Sequence, residues 1–288
     1  MPTATITTRV AEVTDADERH ARAAWSIITE PGDAYAGAVI QQLGHIGALT
    51  ALEGDLAAFD DIAPGAAEQA KSWLPRLSTD AITRALRTAE QESIRLVDPA
   101  TVPGIADLDT RAPHLLWVRG DINALGTEQR IALTGARAST GYGETVCADI
   151  TRHVIDAGVT VHGGGAYGID GAMHRAALST GGSTVAWLAG GVDRMYPTGH
   201  AHLAEQIAHA TGSALVSEVT PGAAPTKRRF LARNRMLASA TQATVVVEAG
   251  WRSGSLNVAG HASSLGRKLG AVPGNVTSPS SAGCNRLL

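Results

Sequence analysis

Aromatic side chains are scarce in this 288-residue sequence, where Phe, Trp and Tyr together make up 4%. A core must therefore be built mainly from Ala, Val, Leu and Ile, and a hydrophobic content of 44% is enough for a sizeable one. Cysteine is nearly missing, with only Cys147 and Cys284. That excludes a disulfide-stapled scaffold, and the lack of any Cys-x-x-Cys pair gives no zinc site. Cys147 falls in a helical pattern and reads as a small core residue. No apolar run reaches the ~18 residues that a membrane-spanning helix needs. Met1 to Val10 lacks the basic-then-apolar order of a secretory signal. These absences predict a soluble protein of a reducing, cytoplasmic compartment, with no membrane partner. Positive charge is not in excess either: 24 Lys and Arg against 27 Asp and Glu leave a formal net charge of −3. Any contact with nucleic acid must then come from a local basic patch.

What is present divides by rhythm. Residues 1–14 are Thr-rich and read as a loose tail. Residues 15–97 carry helical spacing and read as a small helical domain. Ala24, Ile27 and Ile28 mark a first helix ended by Pro31 and Gly32. A second runs near Ala34 to Leu43 and is expected to stop at Gly44. A third follows a cap at Thr79 or Asp80, with Ile82, Ala85, Leu86 and Ala89 on one face. Residues 98–114 break the pattern and read as a connector. Residues 115–288 alternate short apolar strands with helices. Strands are predicted at Leu115–Val118, Ile131–Leu133, Val159–His162, Thr184–Leu188, Ala214–Ser217, Thr244–Glu248 and Leu269–Val272. Helices are predicted near Tyr142–Asp156, Ile169–Ser179, His200–Ala210, Leu231–Ser239 and Leu256–Leu265. The fold class is α/β: a Rossmann-like, doubly wound, mainly parallel sheet behind a small N-terminal helical domain.

In such a sheet the ligand lies beyond the carboxyl ends of the strands, so the loops that follow each strand are informative. The first holds Gly135, Arg137 and Ser139 ahead of a helix, the components of an anion site, although an ordinary strand–helix turn has the same look. The second holds Gly163, Gly164 and Gly165 and reads as a phosphate-facing loop. It contains a formal G-x-G-x-x-G, but no acid follows about 20 residues on to hold a ribose, so a dinucleotide cofactor is not expected. Asp193, in a third loop, suits a structural cap. The loop near residue 227 is the most distinctive. Lys227, Arg228, Arg229, Phe230, Arg233 and Arg235 crowd basic and aromatic groups together, with Asn234 among them. Cations neutralise phosphates and a ring stacks on a base. Cations at a helix start also oppose the helix dipole, which favours a bound anion there. Ser253, Gly254 and Ser255 open a further helix as a second small-residue cradle. The histidines show no metal-ligand spacing, and His200 and His202 read as a solvated turn.

These segments, in their order, resemble the DNA-processing protein A family (DprA, also called Smf). The matching pieces include Leu116-Trp-Val-Arg-Gly120, Thr134-Gly-Ala-Arg137, Gly163-Gly-Gly-Ala-Tyr-Gly-Ile-Asp170 and Tyr196-Pro197. They continue with Ser217-Glu218, Phe230 with Arg233-Asn-Arg235, Ser253-Gly-Ser-Leu256, Ala271-Val-Pro-Gly274 and Gly283-Cys-Asn285. The resemblance implies single-stranded DNA binding in a basic pocket, a homodimer, and help in loading a RecA-type recombinase during transformation and recombination. It implies no enzymatic activity and no cofactor. Its DNA-binding residues would be Gly135, Arg137, Ser139, Gly163, Gly164, Gly165, Lys227, Phe230, Arg233, Asn234, Arg235, Ser253, Gly254 and Ser255. Arg137, Arg233 and Arg235 would hold phosphates, and Phe230 would lie beside a base. The sequence departs from the family pattern at His162 (usually Ser), at Leu231 (often Pro) and at Asn257-Val258-Ala259 (usually Ile-Thr-Ala). The family's frequent winged-helix segment has no counterpart before Leu288.

Two other readings compete. The Arg-Asn-Arg-Met helix with a Gly-Ser helix start is similar to the nucleotide phosphoribohydrolases of the lysine-decarboxylase-like (LOG) type. Those enzymes place a catalytic Glu just past that turn, where this chain has Leu256 to Ala259 and no carboxylate. The third reading is an interaction or defence scaffold with a vestigial pocket, which the intact basic residues near 227 oppose.

Overall fold

The computed structural model describes residues 8–54 and 56–288. Eight strands form one sheet in the order β1-β2-β6-β5-β4-β3-β7-β8. They are β1 (Ile94–Val97), β2 (Leu116–Gly120), β3 (Arg130–Gly135), β4 (Thr160–Gly163), β5 (Thr184–Trp187), β6 (Ala214–Ser217), β7 (Ala243–Glu248) and β8 (Lys268–Ala271). From β3 to β8 every neighbouring pair is parallel, whereas β1 and β2 add an antiparallel edge beside β6. Helices α6 (Gly141–Asp156), α7 (Ile169–Ser179), α8 (Ala201–His209), α9 (Lys227–Ser239) and α10 (Ser255–Ser264) connect the parallel strands, and α11 (Ala282–Leu287) closes the chain. The fold is α/β, Rossmann-like and doubly wound. The strands were legible because a sheet covered on both faces favours short, largely apolar runs, and β4, β5 and β6 are buried throughout.

The chain passes from β3 through β4 and β5 to β6 on one side, then returns to place β7 on the other side of β3. β3 and β7 thus flank the topological switch point, where the crevice of such sheets opens.

The N-terminal half contributes α1 (Ala16–Ile28), α2 (Ala34–Leu52), α3 (Ala58–Ile62), α4 (Ala66–Trp73) and α5 (Thr79–Gln91). Asp33 caps α2 by accepting from the amides of Tyr35 and Ala36. The expected stop at Gly44 is met by a break in the helical backbone, and a second helical segment follows it within α2. Gly44 is non-helical, with a φ of 72° and a ψ of 168°, and helix resumes beyond this kink as Ala48 and Leu52 bury themselves against Trp25, Phe59 and Trp73. α3 and α4 were not foreseen.

Three expected boundaries are corrected. Residues 1–7 lie outside the described residues, but 8–13 are tied down: the Thr8 amide donates to Gly126, Val13 to Leu96, and Val10 is buried. Ile94–Val97 is not the end of a helical domain but the outermost strand of the sheet. Residues 98–114 are not a free connector. They wind into short 3-10 turns at Pro99–Thr101 and Ile105–Arg111, with Val102 and Ile105 buried in the sheet core. Helices α1 and α5 share a core with the sheet as well, since Ala23, Ala24, Ile82 and Ala85 pack in one cluster with Leu96, Trp117 and Leu215. That shared burial is what the sequence pattern could not show.

Candidate nucleic-acid interface

A pocket of about 840 Å³ opens at the switch point. One wall is the loop after β3, with Gly135 and Arg137. A second is the start of α9, with Lys227, Phe230, Arg233 and Asn234. The third is the loop after β7 and the start of α10, with Arg252, Ser253, Gly254 and Ser255. Gly135 permits the approach of neighbouring elements, because a Cβ there would fall 2.6 Å from Ile169 and 2.9 Å from the Glu248 carbonyl oxygen. Thr226 caps α9 by accepting from the Arg229 amide, and this fixes Lys227 and Phe230 on the pocket side of its first turn.

Cations and rings face each other in this space. The Arg137 guanidinium sits 4.8 Å from the centre of the Phe230 ring, a cation–π contact. Tyr196 lies 5.8 Å from Phe230, centroid to centroid, and is half-exposed. Among the described residues, Arg137, Lys227 and Arg252 have no ion-pair partner. Local positive charge is therefore unneutralised on a chain whose net charge is −3.

Two of the expected anion cradles are filled by the protein's own carboxylates. Glu248 is buried and its Oε2 accepts from the Thr140 amide at the start of α6. The same oxygen would lie 2.2 Å from a Cβ on Gly143, which is why glycine stands there. Asp170 Oδ2 accepts from the amides of Gly164 and Ala166, and its Oδ1 accepts from the Thr134 hydroxyl. Gly163, Gly164 and Gly165 do not line the pocket. Their missing side chains leave room for Met173, for Asp170 with Arg233, and for Met195. Ser139 also lies outside the pocket, donating to Glu144 Oε1 at 2.6 Å. The spacing of these residues was right for a ligand loop, but their close packing serves the protein itself.

The two conspicuous arginines of α9 are both largely buried. Arg233 borders the pocket but is only 6% exposed, and its Nη1 donates to the carbonyls of Gly164 and Trp187. Burial lowers its pKa, Asp170 opposes that shift, and burial raises the pKa of Asp170 in turn. Arg235 points away from the pocket. Its guanidinium pairs with the buried Glu218 at 2.6 and 2.5 Å and donates to the Arg111 carbonyl. The Arg235 guanidinium is thus committed within the fold, whereas Arg233 lines the pocket with Nη2 in no hydrogen bond among the described residues. Asn234 donates to Asn257 at 3.0 Å, so the departure at Asn257 is accommodated by a direct contact. Ser253 and Ser255 share a hydroxyl–hydroxyl bond of 2.7 Å.

Sequence reasoning missed Tyr196, Arg252 and Asp170 as pocket residues. The basic residue adjoining Ser253 was the available signal for Arg252. Nothing local marked Asp170 as a partner of Gly164. Asp193 acts as a structural cap, accepting from the Gly222 amide. His200 is buried, with Nδ1 against the Gly165 carbonyl, and is no part of a solvated turn. Among the described residues no group of three His, Cys, Asp or Glu is placed to hold a metal ion. None of their helices is long and apolar enough to cross a membrane. Burial pushes the Cys147 thiol up to about 12, as suits a core residue.

The fold and pocket define a class: Rossmann-like α/β proteins with a cationic, ring-walled pocket at the switch point. Within that class the chain belongs to the family described as DNA recombination-mediator protein A, the DprA/Smf family, which matches residues 98–288. A putative DNA processing protein DprA of Mycobacterium tuberculosis is 50% identical over 178 residues, 62% of this chain and 45% of that protein. Protein Smf of Escherichia coli is 38% identical over 179 residues, 62% of this chain and 47% of that protein. The chain thus matches these curated relatives over about half of their length. The X-ray structure of DprA from Streptococcus pneumoniae superposes with a TM-score of 0.73 at 25% identity, covering 96% of this chain and 93% of that one. DNA processing protein A from Helicobacter pylori, solved for its single-stranded DNA binding mode, matches with a TM-score of 0.59 at 27% identity, covering 65% and 83%.

Proposed function

We propose that this chain binds single-stranded DNA in the switch-point pocket and serves as a recombination mediator. In this reading Arg137 and Lys227 neutralise phosphates, and Phe230, with Tyr196 beside it, offers a face to a base. The carrying observation is the set of unpaired cations around aromatic rings in one pocket of a net-negative chain. Phosphate contact and stacking carry little base code, so binding is sequence-tolerant. The partner that follows is a RecA-type recombinase loaded onto the bound strand, in DNA uptake or general recombination, with the chain acting as a homodimer. A hydrolytic role is less well supported. The stretch where the LOG-type enzymes place their acid is Leu256 to Ala259, and the pocket's Asp170 is committed to two amides and a hydroxyl.

The test is fluorescence anisotropy of a labelled oligonucleotide across a salt series, with duplex of equal length beside it. Single strands should bind better, and affinity should fall as salt rises. Arg137→Ala with Lys227→Ala should flatten the slope of log affinity against log salt by about 1.4, the share of two phosphate contacts on a single strand. Absence of binding at low salt would refute the proposal. Recombinase loading is then read as faster filament growth on a strand already covered by a single-strand-binding protein.

A further inference from the structure

Four of the five tryptophans are buried: Trp25, Trp73, Trp117 and Trp187 are each at most 1% exposed. The fifth, Trp251, is 64% exposed. It stands in the loop between β7 and α10, and the residues on either side of it, Gly250 and Arg252, both line the pocket. The loop is held from behind. The Gly283 amide donates to the Ala249 carbonyl at 2.7 Å, and a Cβ on Gly283 would lie 2.7 Å from the Gly250 carbonyl oxygen. The Ser253 amide donates back to Gly250 and closes a tight turn. A large indole is thus presented to solvent on a pinned backbone, next to a guanidinium that has no ion-pair partner among the described residues.

This repeats the chemistry of the opposite wall. There a cation, Arg137 on the loop after β3, and a ring, Phe230 at the start of α9, lie together. A single strand presents bases and phosphates in alternation, so a ring and a cation on each wall match two points along one strand. Indole stacks on any base, and a rigid ring loses little conformational freedom when it does so.

We propose that Trp251 and Arg252 form a second subsite, in which Trp251 stacks on a base of the same single strand as it leaves the pocket and Arg252 neutralises the adjoining phosphate. The subsite rests on the single-stranded DNA reading of the pocket. It makes the loop after β7 a determinant of how much of the strand is held, separate from the Arg137 and Phe230 wall.

Because Trp251 is the one exposed indole among the described residues, its emission can be isolated by iodide quenching. Addition of oligothymidylate to the wild-type chain should quench that iodide-accessible emission. In Trp251→Phe this signal should vanish while anisotropy still reports binding. Trp251→Ala should weaken binding roughly 5- to 100-fold, the loss of one stacked base, with the salt slope unchanged. Arg252→Ala should instead flatten the slope by about 0.7. Thermal unfolding of each variant, unshifted for such exposed positions, separates these effects from misfolding. Wild-type binding whose affinity and quenching are untouched by Trp251→Ala overturns the second subsite and leaves the pocket reading intact. No binding by the wild-type chain at all removes the pocket reading, and this one with it.

Discussion

At the scale of single residues, charge in a sequence does not tell whether a side chain serves a ligand or the fold. Arg137, Arg233 and Arg235 looked alike. The structure separates them by burial: Arg137 meets a ring at the pocket, whereas Arg235 is enclosed with Glu218. Removing one partner of a buried ion pair leaves the other charge unpaired in a medium that solvates it poorly. Arg235→Ala should therefore cost about 3–5 kcal/mol of stability. Arg137→Ala should leave stability within about 0.5 kcal/mol and weaken DNA binding instead. Urea unfolding of both variants, paired with anisotropy, checks the contrast, and a stable Arg235→Ala that loses binding would show the assignment to be wrong. Lys227 and Phe230 were legible because a local run of basic and aromatic residues is itself the signal, and Arg137 because a glycine loop with an arginine ahead of a helix reads as an anion site. Arg235 was not, because Glu218 lies 17 positions away on another element. Glu248 reaches the Thr140 amide across 108 positions, which no spacing rule could anticipate.

At the scale of elements, the parallel strands were legible to within a residue or two, since a short apolar run set between two helical stretches fits little besides a covered strand. β1 was not, because Ile94 to Val97 follows directly on α5 and resembles its end. The start of α9 was read near Leu231, four residues late. The helix in fact begins at Lys227, with Thr226 as its cap and Arg229 neutralised by Glu30. The glycine loop after β4 is the instructive failure, since a run of three glycines signals close approach without saying of what. Here the answer is the protein's own Asp170 and Arg233. A Cβ on Gly164 would fall 2.5 Å from Asp170 Oδ2 and 2.6 Å from Arg233 Nη2, whereas one on Gly254 would meet nothing within 4 Å. Gly164→Ala should thus destabilise the free protein by about 1–3 kcal/mol through overpacking. Gly254→Ala should change stability by less than about 0.5 kcal/mol. Equal stability of the two variants in urea would mean that the Gly164 loop has room for a ligand after all.

At the scale of the whole molecule, acid should loosen the packing of the helical region and the sheet together. Four histidines are held neutral across both parts: His45 on α2, His114 just before β2, His162 on β4 and His174 on α7. Burial is the main cause in each case, with nearby arginines or histidines adding to it, and it lowers His45 to about 3, His114 to about 4 and His174 to about 3. In the unfolded chain they titrate near 6.5. A folded pKa below the unfolded one means that the full stability is present above pH ~6.5. It is lost as pH falls toward about 4, because the unfolded state takes up protons that the folded state refuses. Asp170 works the other way, since burial raises its carboxyl. Glu30 is pushed up by burial, but Arg229 and Arg76 outweigh that and hold it lowered, so its contribution is lost only at still lower pH. The net expectation at pH 5 is uptake of about three to four protons on unfolding, each worth about 1.4 kcal/mol per pH unit of slope. Urea unfolding at pH 7.5, 6 and 5 measures that slope directly. His114→Gln should reduce it by about one proton, because the buried ring that stays neutral at pH 5 in the folded state is then gone. A stability that stays flat from pH 7.5 to 5 would mean that these rings reach water, and the shared core joining the helices to the sheet would then have to be looser than the burial of Trp25, Trp117 and Leu96 implies.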